Sequence, residues 1–594
     1  MRPVPRLIAA AALCLCAAGA QAAKVARVDV RILDGSGLDE AMTANVRSSL
    51  SLVDAIGKDV SGRRMAYLVR EAEAETREAL EPFGYYSPTI TVERTHNDDA
   101  SVPVIVTVTV QPGEPVRVRG FNVGIDGEAA DDRYLRKEID AFRPRTGEVF
   151  DHAVYEAGKA RVSRRLAERG YFDADFGQRL VEVTRTEHAA DIALRWNSGD
   201  RYDMGTVTFV QQPRVIRESL LRRLVYWNEG EYYHQGRLDR LRKSLVSLDY
   251  FGRIDIEPHP EQAVDRRVPV TVALTPAKRS IYTAGVSYGT DSGAGVLGGV
   301  ERRYLNSRGH KALAQLDFAQ RRKTATLQYR VPAFKWLDGW YAASLQGADE
   351  QTDFVDNRRL EFVASRSGEI NKYLTATVSL HALRERWRFV PEDAGAAPDE
   401  FQYATLVFPA IQAEYIDADD RLYPRRALGG TLLLRGGVRG IGSDATFAQV
   451  HAGARWFHGL GPQDRLIARG ELGHTFTNAL VEMPLSLRFF AGGDRSVRGY
   501  GWREIGPRRG TFAVGAENVI TGSIEYERYF NASWGGAVFV DTGSAFNVRP
   551  DLHTGVGVGV RWRSPVGPVR IDIARGLKDP ESGFTLHFNI GADL

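Results

Sequence analysis

From Ser280 onward, apolar and polar positions alternate in segments of about ten residues, separated by Gly, Asp, Asn and Pro. Val556, Val558, Val560 and Trp562 alternate with Gly555, Gly557, Gly559 and Arg561. Ile571 and Ile573 alternate with Arg570 and Asp572. Phe584, Leu586, Phe588 and Ile590 alternate with Thr585, His587 and Asn589. A period of two puts apolar side chains on one face and polar side chains or glycine on the other. That division suits a wall with lipid outside and water inside. A large soluble β-sandwich would alternate in the same way. The aromatics at segment ends, such as Tyr282, Tyr288, Trp340 and Tyr341, favour the membrane wall. The segments number about sixteen, an even count as expected of a single-chain barrel. Eleven precede a long glycine-rich stretch, roughly Asn478 to Ala516, and five follow it.

Residues 24 to about 278 carry a different pattern, repeated three times at roughly 80-residue spacing. Each copy opens with an alternating strand: Val25 to Ile32, Val116 to Phe121, Thr206 to Val210. Amphipathic helices follow, clearest at Arg64 to Leu80, Tyr155 to Glu168 and Arg237 to Leu248. Each of these ends at an aromatic-glycine corner: Phe83-Gly84-Tyr85-Tyr86, Gly170-Tyr171-Phe172 and Tyr250-Phe251-Gly252. Glycine there permits the left-handed backbone of a helix C-terminus, and the aromatic can pack over a sheet. Two strands complete each copy, the last being Val102 to Val110, Ala190 to Trp196 and Val268 to Leu274. The expected fold is thus three α+β repeats, β-α-α-β-β, followed by an antiparallel transmembrane β-barrel of about sixteen strands. The expected boundaries are a leader at 1–22, repeats at 23–114, 115–201 and 202–278, and the barrel at 279–594.

Composition adds three constraints. Arg2 and Arg6, the apolar run Leu7 to Ala18 and the small residues Ala20-Gln21-Ala22 read as a secretory signal peptide. Both cysteines, Cys14 and Cys16, lie inside it, so the processed chain carries no thiol or disulfide chemistry. A balance of 78 Lys+Arg against 75 Asp+Glu argues against nucleic acid as a partner. Mean hydropathy is −0.29, and no apolar run is long enough for a membrane helix.

The long stretch between the eleventh and twelfth segments contains Val497-Arg498-Gly499-Tyr500. Counted outward from the repeats, it is the sixth outer loop and could fold back into the lumen. Asp541 shares its face with Ala537 and Phe539, while Val538 and Val540 point the other way. Glu525 shares its face with Ser523 and Glu527, against Ile524 and Tyr526. Both carboxylates are expected on the lumen side, where a guanidinium pairs with them in a fixed fork. Two enzyme-like spellings fail on context. Gly285-Val286-Ser287-Tyr288-Gly289 resembles a nucleophile elbow, and Gly293-Ala294-Gly295-Val296-Leu297-Gly298 a dinucleotide fingerprint, but no helix follows either. The 12 histidines show no metal-ligand spacing. No enzyme activity, cofactor or metal is expected.

The three corners resemble those of POTRA (polypeptide-transport-associated) modules. The whole pattern resembles the outer-membrane insertase and transporter superfamily that contains BamA, TamA and the two-partner secretion transporters. Its carriers are Val497-Arg498-Gly499-Tyr500, Phe539-Val540-Asp541-Thr542-Gly543 and Trp562-Arg563-Ser564-Pro565-Val566-Gly567-Pro568. Three repeats fit the TamA type, as do Tyr288-Gly289-Thr290-Asp291-Ser292-Gly293, Tyr304-Leu305-Asn306-Ser307-Arg308-Gly309-His310 and Tyr329-Arg330-Val331-Pro332. Leu594 departs from the terminal aromatic common in such barrels. The resemblance implies an outer-membrane protein with periplasmic repeats that helps insert β-barrel or autotransporter substrates. It also implies a TamB-type periplasm-spanning partner and contact with outer-membrane lipid. Glycine weakens a strand interior, so the seam between the first strand (Tyr282, Gly285, Tyr288) and the last (Phe584, Phe588) is the expected lateral gate. A polypeptide secretion pore or a passive channel is the alternative reading.

Overall fold

The computed structural model describes residues 22–33, 39–95, 104–289, 293–334, 339–352, 354–390, 399–510, 512–564, 567–578 and 583–590. The leader (apart from Ala22), the first outer turn at 290–292, Pro565, Val566 and Leu594 lie outside them. The chain divides into two compact units. One comprises Met1–Val207, Trp227–Asp239 and Pro258–Val270, the other Thr208–Tyr226, Arg240–Glu257 and Thr271–Leu594. The division passes through the third repeat.

In the first unit, the opening and closing strands of each repeat pair in parallel. Ala22–Ile32 runs beside Val104–Gln111, and Arg117–Asp126 beside Ala189–Asn197. The remaining strand, Thr89–Arg94 or Asp175–Thr184, adds antiparallel to the closing strand. Parallel neighbours need a crossover, and the two helices supply it. Helix Gly62–Leu80 starts where the Ser61 side chain accepts from Arg64 N. Helix His152–Glu168 starts where Asp151 accepts from Val154 N at 2.9 Å. Met65 and Leu68 of the first helix pack with Val28, Val106 and Val108 of the sheet. Tyr155, Val162 and Leu166 of the second pack with Phe142 and Trp196. The third repeat has strands Asp203–Gln211, Arg267–Pro276 and Phe251–Pro258 in that sheet order. Its first helix is a single turn, Glu218–Leu221, shorter than the amphipathic helix expected there.

The aromatic-glycine corners are joints between modules as well as helix ends. Gly84 and Gly170 adopt φ of 88° and 90°. Their carbonyls accept from Val116 N and Tyr202 N of the next module, both at 2.8 Å. A Cβ on either would sit 2.8 Å from Val149 or Tyr233. The third corner differs from expectation: the left-handed residue is Asp249 (φ 54°), and Gly252 lies inside strand Phe251–Pro258. An aspartate tolerates that conformation better than most side chains. The joint itself recurs, with Ala277 N donating to Tyr250 O at 2.9 Å.

The second unit holds one sixteen-stranded antiparallel sheet in strictly sequential order. Its first strands are Ser280–Gly289, Gly293–Arg302, Lys311–Ala319 and Arg322–Ala333. Strands five to eight are Gly339–Gln351, Val355–Glu369, Leu374–Phe389 and Gln402–Ala418. Strands nine to twelve are Arg426–Gly437, Phe447–Gly459, Asp464–Phe476 and Asn518–Tyr529. The last four are Trp534–Phe546, His553–Ser564, Gly567–Gly576 and Thr585–Ile590. Eleven strands therefore precede the long loop and five follow, as the alternation predicts. The elbow-like spelling lies within the first strand, and the fingerprint-like spelling in the second. Outward positions are apolar and exposed: Ile524, Val538 and Val540 are 61%, 52% and 50% accessible. No helix among the described residues is long and apolar enough to cross a membrane.

The turn after the second strand, carrying Tyr304 to His310, receives the third repeat. Arg217 N donates to Ser307 O at 2.8 Å, and Arg303 Nε to Asp249 Oδ2 at 2.8 Å. The Tyr250 hydroxyl donates to Gly309 O. Gly309, at φ 74°, has no room for a Cβ beneath that ring.

Candidate functional site

The loop between Phe476 and Asn518 folds against inward-facing side chains of the sheet. Met483 and Leu487 join Leu383, Leu406, Phe408 and Phe447 in one apolar cluster. Leu485 packs with Trp387 and Phe389 in another. Glu385, wholly buried, accepts from Ser486 N at 3.2 Å and Ser486 Oγ at 2.5 Å. The loop then doubles back on itself, with Phe489 paired to Ala516 and Ala491 to Ile505. Glycines at Gly492 and Gly493, φ 100° and 105°, make that reversal possible. The result presents Val497-Arg498-Gly499-Tyr500 to the inner face of the last six strands.

Arg498 is 2% exposed and fully engaged. Its Nε and Nη2 grip Asp541 in a fork, at 2.6 and 2.9 Å. Its backbone N–H donates to the same carboxylate at 3.0 Å. Nη1 donates to Glu525 Oε2 at 2.7 Å and to Asp572 Oδ2 at 3.0 Å. The guanidinium lies over the Phe539 ring, 3.3 Å from its centroid. The carboxylates assigned by parity, Glu525 and Asp541, are therefore brought together with Arg498, 2% and 0% exposed. The rest of the tip is anchored too. Gly499 N donates to His587 Nε2 at 3.0 Å, and the Tyr500 hydroxyl accepts from Lys578 N at 3.2 Å. Val497 is buried with Phe489 and Ile505.

The network is larger than parity foresaw. Arg561 donates from Nη2 to Glu525 (2.6 Å), from Nε to Glu527 (2.7 Å) and from Nη1 to Asp572 (2.6 Å). Arg465 Nε donates to Glu527 Oε2 at 2.6 Å, and Arg469 lies 3.9 Å from Asp541. Arg498, Arg561, Arg465 and Arg469 thus face Glu525, Glu527, Asp541 and Asp572, with Arg570 in electrostatic reach of Glu525 and Glu527, and buried charges persist only when so paired. These charges come from strands eleven to fifteen and from the loop, and His587 of the sixteenth strand accepts from Gly499 N. They form a latch across the carboxyl-terminal side of the sheet. Asp572, Arg561 and His587 were visible as inward positions in the alternation, but nothing in it joined them to Arg498.

Strand register explains the arrangement. Asp541 stands opposite Ser523 and Gly555, Phe539 opposite Glu525 and Gly557, and Ala537 opposite Glu527 and Gly559. In each row the fourteenth strand contributes glycine. A Cβ at Gly555 would lie 1.8 Å from Arg498 O, at Gly557 2.4 Å from the Phe539 ring, and at Gly559 1.8 Å from Asp572 Oδ1. The glycine face of that strand is the bed on which the loop tip and its ring rest. Gly576 does the same for Tyr500, whose ring is 2.6 Å from its ideal Cβ.

The residues expected at the seam lie at the two ends of the sheet order. Tyr282 and Phe584 are 76% and 74% exposed, and Phe588 38%. Gly285 is exposed, and every described side-chain position from Tyr282 to Val286 is exposed, so both faces of the first strand are open. The Tyr288 side chain lies outside the described residues. Phe584 immediately precedes the last strand rather than opening it.

This is the fold and loop of a repeat-plus-barrel membrane protein, and comparison matches its parts to known families. Residues 305–593 match the Omp85 superfamily domain. Residues 33–112 match the POTRA domain TamA domain 1, and 121–197 the POTRA repeat described as surface antigen variable number repeat. The chain thus carries an Omp85 superfamily domain, with POTRA modules ahead of it. It is 23% identical over 529 residues to outer membrane protein assembly factor BamA of Nitratidesulfovibrio vulgaris, covering 87% of this chain and 66% of that protein. It is 20% identical over 562 residues to BamA of Neisseria meningitidis serogroup B, covering 83% and 69%. The chain thus spans about two thirds of the length of the curated relatives it matches. The crystal structure of Haemophilus ducreyi BamA lacking POTRA domains 1-3 shares the fold, with a TM-score of 0.62 at 16% identity, covering 80% of this chain and 98% of that one.

Proposed function

We propose that this protein is a TamA-type assembly factor of a Gram-negative outer membrane, with its POTRA repeats in the periplasm. It helps insert or translocate β-barrel and autotransporter proteins through a lateral gate between the first and last barrel strands. No catalytic step, nucleotide or cofactor enters this reading. A barrel satisfies its backbone only when its end strands pair, so a weak seam exposes edges that can template an incoming strand. One observation carries the proposal: the buried latch engages strands eleven to sixteen and leaves the first strand outside it. The carboxyl-terminal side is held rigid while the first strand, with Gly285 in its interior and both faces open, is free to move.

The TamA-type first repeat supports the narrower assignment within the superfamily. A TamB-type partner would dock at the repeats. The apolar loop packed into the inner face weighs against the passive channel and the secretion pore. Both alternatives predict large single-channel conductance and no barrel insertion. The test is reconstitution in liposomes with an unfolded barrel substrate. Insertion accelerated by the intact protein supports the proposal, and conductance without acceleration rejects it.

A further inference from the structure

On the side of the inner wall away from the latch, a cavity of about 130 Å3 lies between the fourth, fifth and sixth strands and the folded-in loop. Its walls carry three guanidiniums, Arg322 and Arg359 from the strands and Arg503 from the loop, against one carboxylate, Glu350. Two buried polar atoms on the wall, Arg359 Nε and Asn357 Oδ1, have no hydrogen-bond partner among the described residues. Asn357 itself is 6% exposed. Arg359 spends one Nη2 donor on Gln346 Oε1 at 3.0 Å, and Arg503 sits 3.8 Å from Glu350.

The loop residue is held there at a conformational cost. Arg503 adopts φ of 57°, a left-handed backbone that a long side chain rarely takes. Its guanidinium stacks on Trp502 and Phe490, 4.2 and 4.9 Å from the ring centroids, which fixes its direction. Strained backbone of this kind persists where the surroundings over-determine it, commonly at ligand clamps. Three guanidiniums set against Glu350 and the nearby Glu385 leave net positive charge at these walls, and a planar fork suits an oxyanion. The volume is several times the ~30 Å3 share of one water.

We propose that Arg322, Arg359 and Arg503 form a binding site for a compact oxyanion of the phosphate class, which ties the folded-in loop to the wall opposite the latch. The anion could arrive free in solution or as the phosphate of an amphiphile. An adjoining chamber of about 300 Å3, which shares Glu350, Trp502 and Arg503 and is lined by Phe354, Phe389 and Phe512, would take an apolar tail in the second case.

The test uses the full-length protein in detergent, at constant ionic strength set with chloride. Inorganic phosphate, and separately a short-chain alkyl phosphate, are titrated while the unfolding midpoint and trypsin cleavage at Arg503 are followed. Saturating ligand is expected to raise the midpoint by about 2–4 °C and to slow cleavage several-fold. Response to both ligands assigns a free ion, and response to the alkyl phosphate alone assigns a headgroup. The response should vanish in Arg359→Gln and weaken in Arg359→Lys, which keeps the charge without the fork. No response in the natural protein, or an equal response in folded Arg359→Gln, overturns the proposal. Should Arg359→Gln fail to fold, Arg322→Gln serves as the second variant under the same criteria.

Discussion

Arg498→Ala removes a guanidinium that closes three carboxylates at once, and the structure says which of them suffers. Glu525 and Asp572 keep Arg561, each at 2.6 Å. Asp541 keeps the backbone N–H of residue 498 at 3.0 Å, the Ser523 hydroxyl at 2.6 Å and Arg469 at 3.9 Å. The variant therefore leaves one wholly buried carboxylate without its main partner. Breaking a buried pair in this way costs about 3–5 kcal/mol. Loss of the stacking on Phe539 adds up to about 2 kcal/mol. The unfolding midpoint should fall by about 6 °C or more, at roughly 2 °C per kcal/mol for a large domain. Heat-modifiability on cold electrophoresis, with tryptophan fluorescence in detergent, measures the midpoint. Asp541→Asn removes the stranded charge, so adding it to Arg498→Ala should recover part of the loss. An unchanged midpoint in Arg498→Ala, or strictly additive losses in the double variant, would refute the latch.

Other variants probe separate joints. Gly555→Ala forces a Cβ into Arg498 O and should unseat the loop tip, costing about 1–3 kcal/mol. Gly522→Ala, with nothing within 4 Å of its Cβ, should leave the midpoint unchanged. Accelerated proteolysis near Ser496 reads the difference between the two. Glu385→Gln weakens the anchor at Ser486 by about 1–3 kcal/mol and should speed proteolysis near Met483 without moving cleavage at Arg495. Tyr250→Phe removes the hydroxyl that bonds Gly309 O and should loosen the third repeat at the barrel turn, costing about 0.5–1.5 kcal/mol. Faster hydrogen exchange confined to Tyr304–His310 measures that loss.

The parts of this molecule that rest on short-range periodicity are readable without coordinates. Ile524 and Val540 point outward and Glu525 and Asp541 inward because a strand has a period of two, whatever its neighbours. The division of strands around the long loop follows from the same rule. What alternation cannot supply is height along the wall. Register sets Asp572 level with Gly559, Ala537 and Glu527, two inward rows from Asp541, within the span of the Arg498 guanidinium, and register depends on turns and shear. The same holds for Arg561, Arg465 and Glu527. Gly555, Gly557 and Gly559 read as the polar-or-glycine face of an alternating strand, and nothing in the alternation shows that they are the space into which the loop tip fits. The third corner departs from the pattern for a local reason: Asp249 takes the left-handed turn, and Gly252 lies inside the strand that follows. The first helix of the third repeat, Glu218–Leu221, runs on into a 3-10 turn at Arg222–Leu224 in place of the longer amphipathic helix expected.

The central claim is that the seam between the first and last strands opens while the latch holds the other side. The chain has no cysteine after Cys16, so engineered thiols stand alone in the processed protein. A panel of pairs, one cysteine within Ser280–Val286 and one within Thr585–Asn589, would be oxidised in liposomes and assayed for insertion of an unfolded barrel substrate. The account predicts that a cross-linked pair abolishes the acceleration and that reductant restores it. Full acceleration with the seam verifiably cross-linked would contradict it.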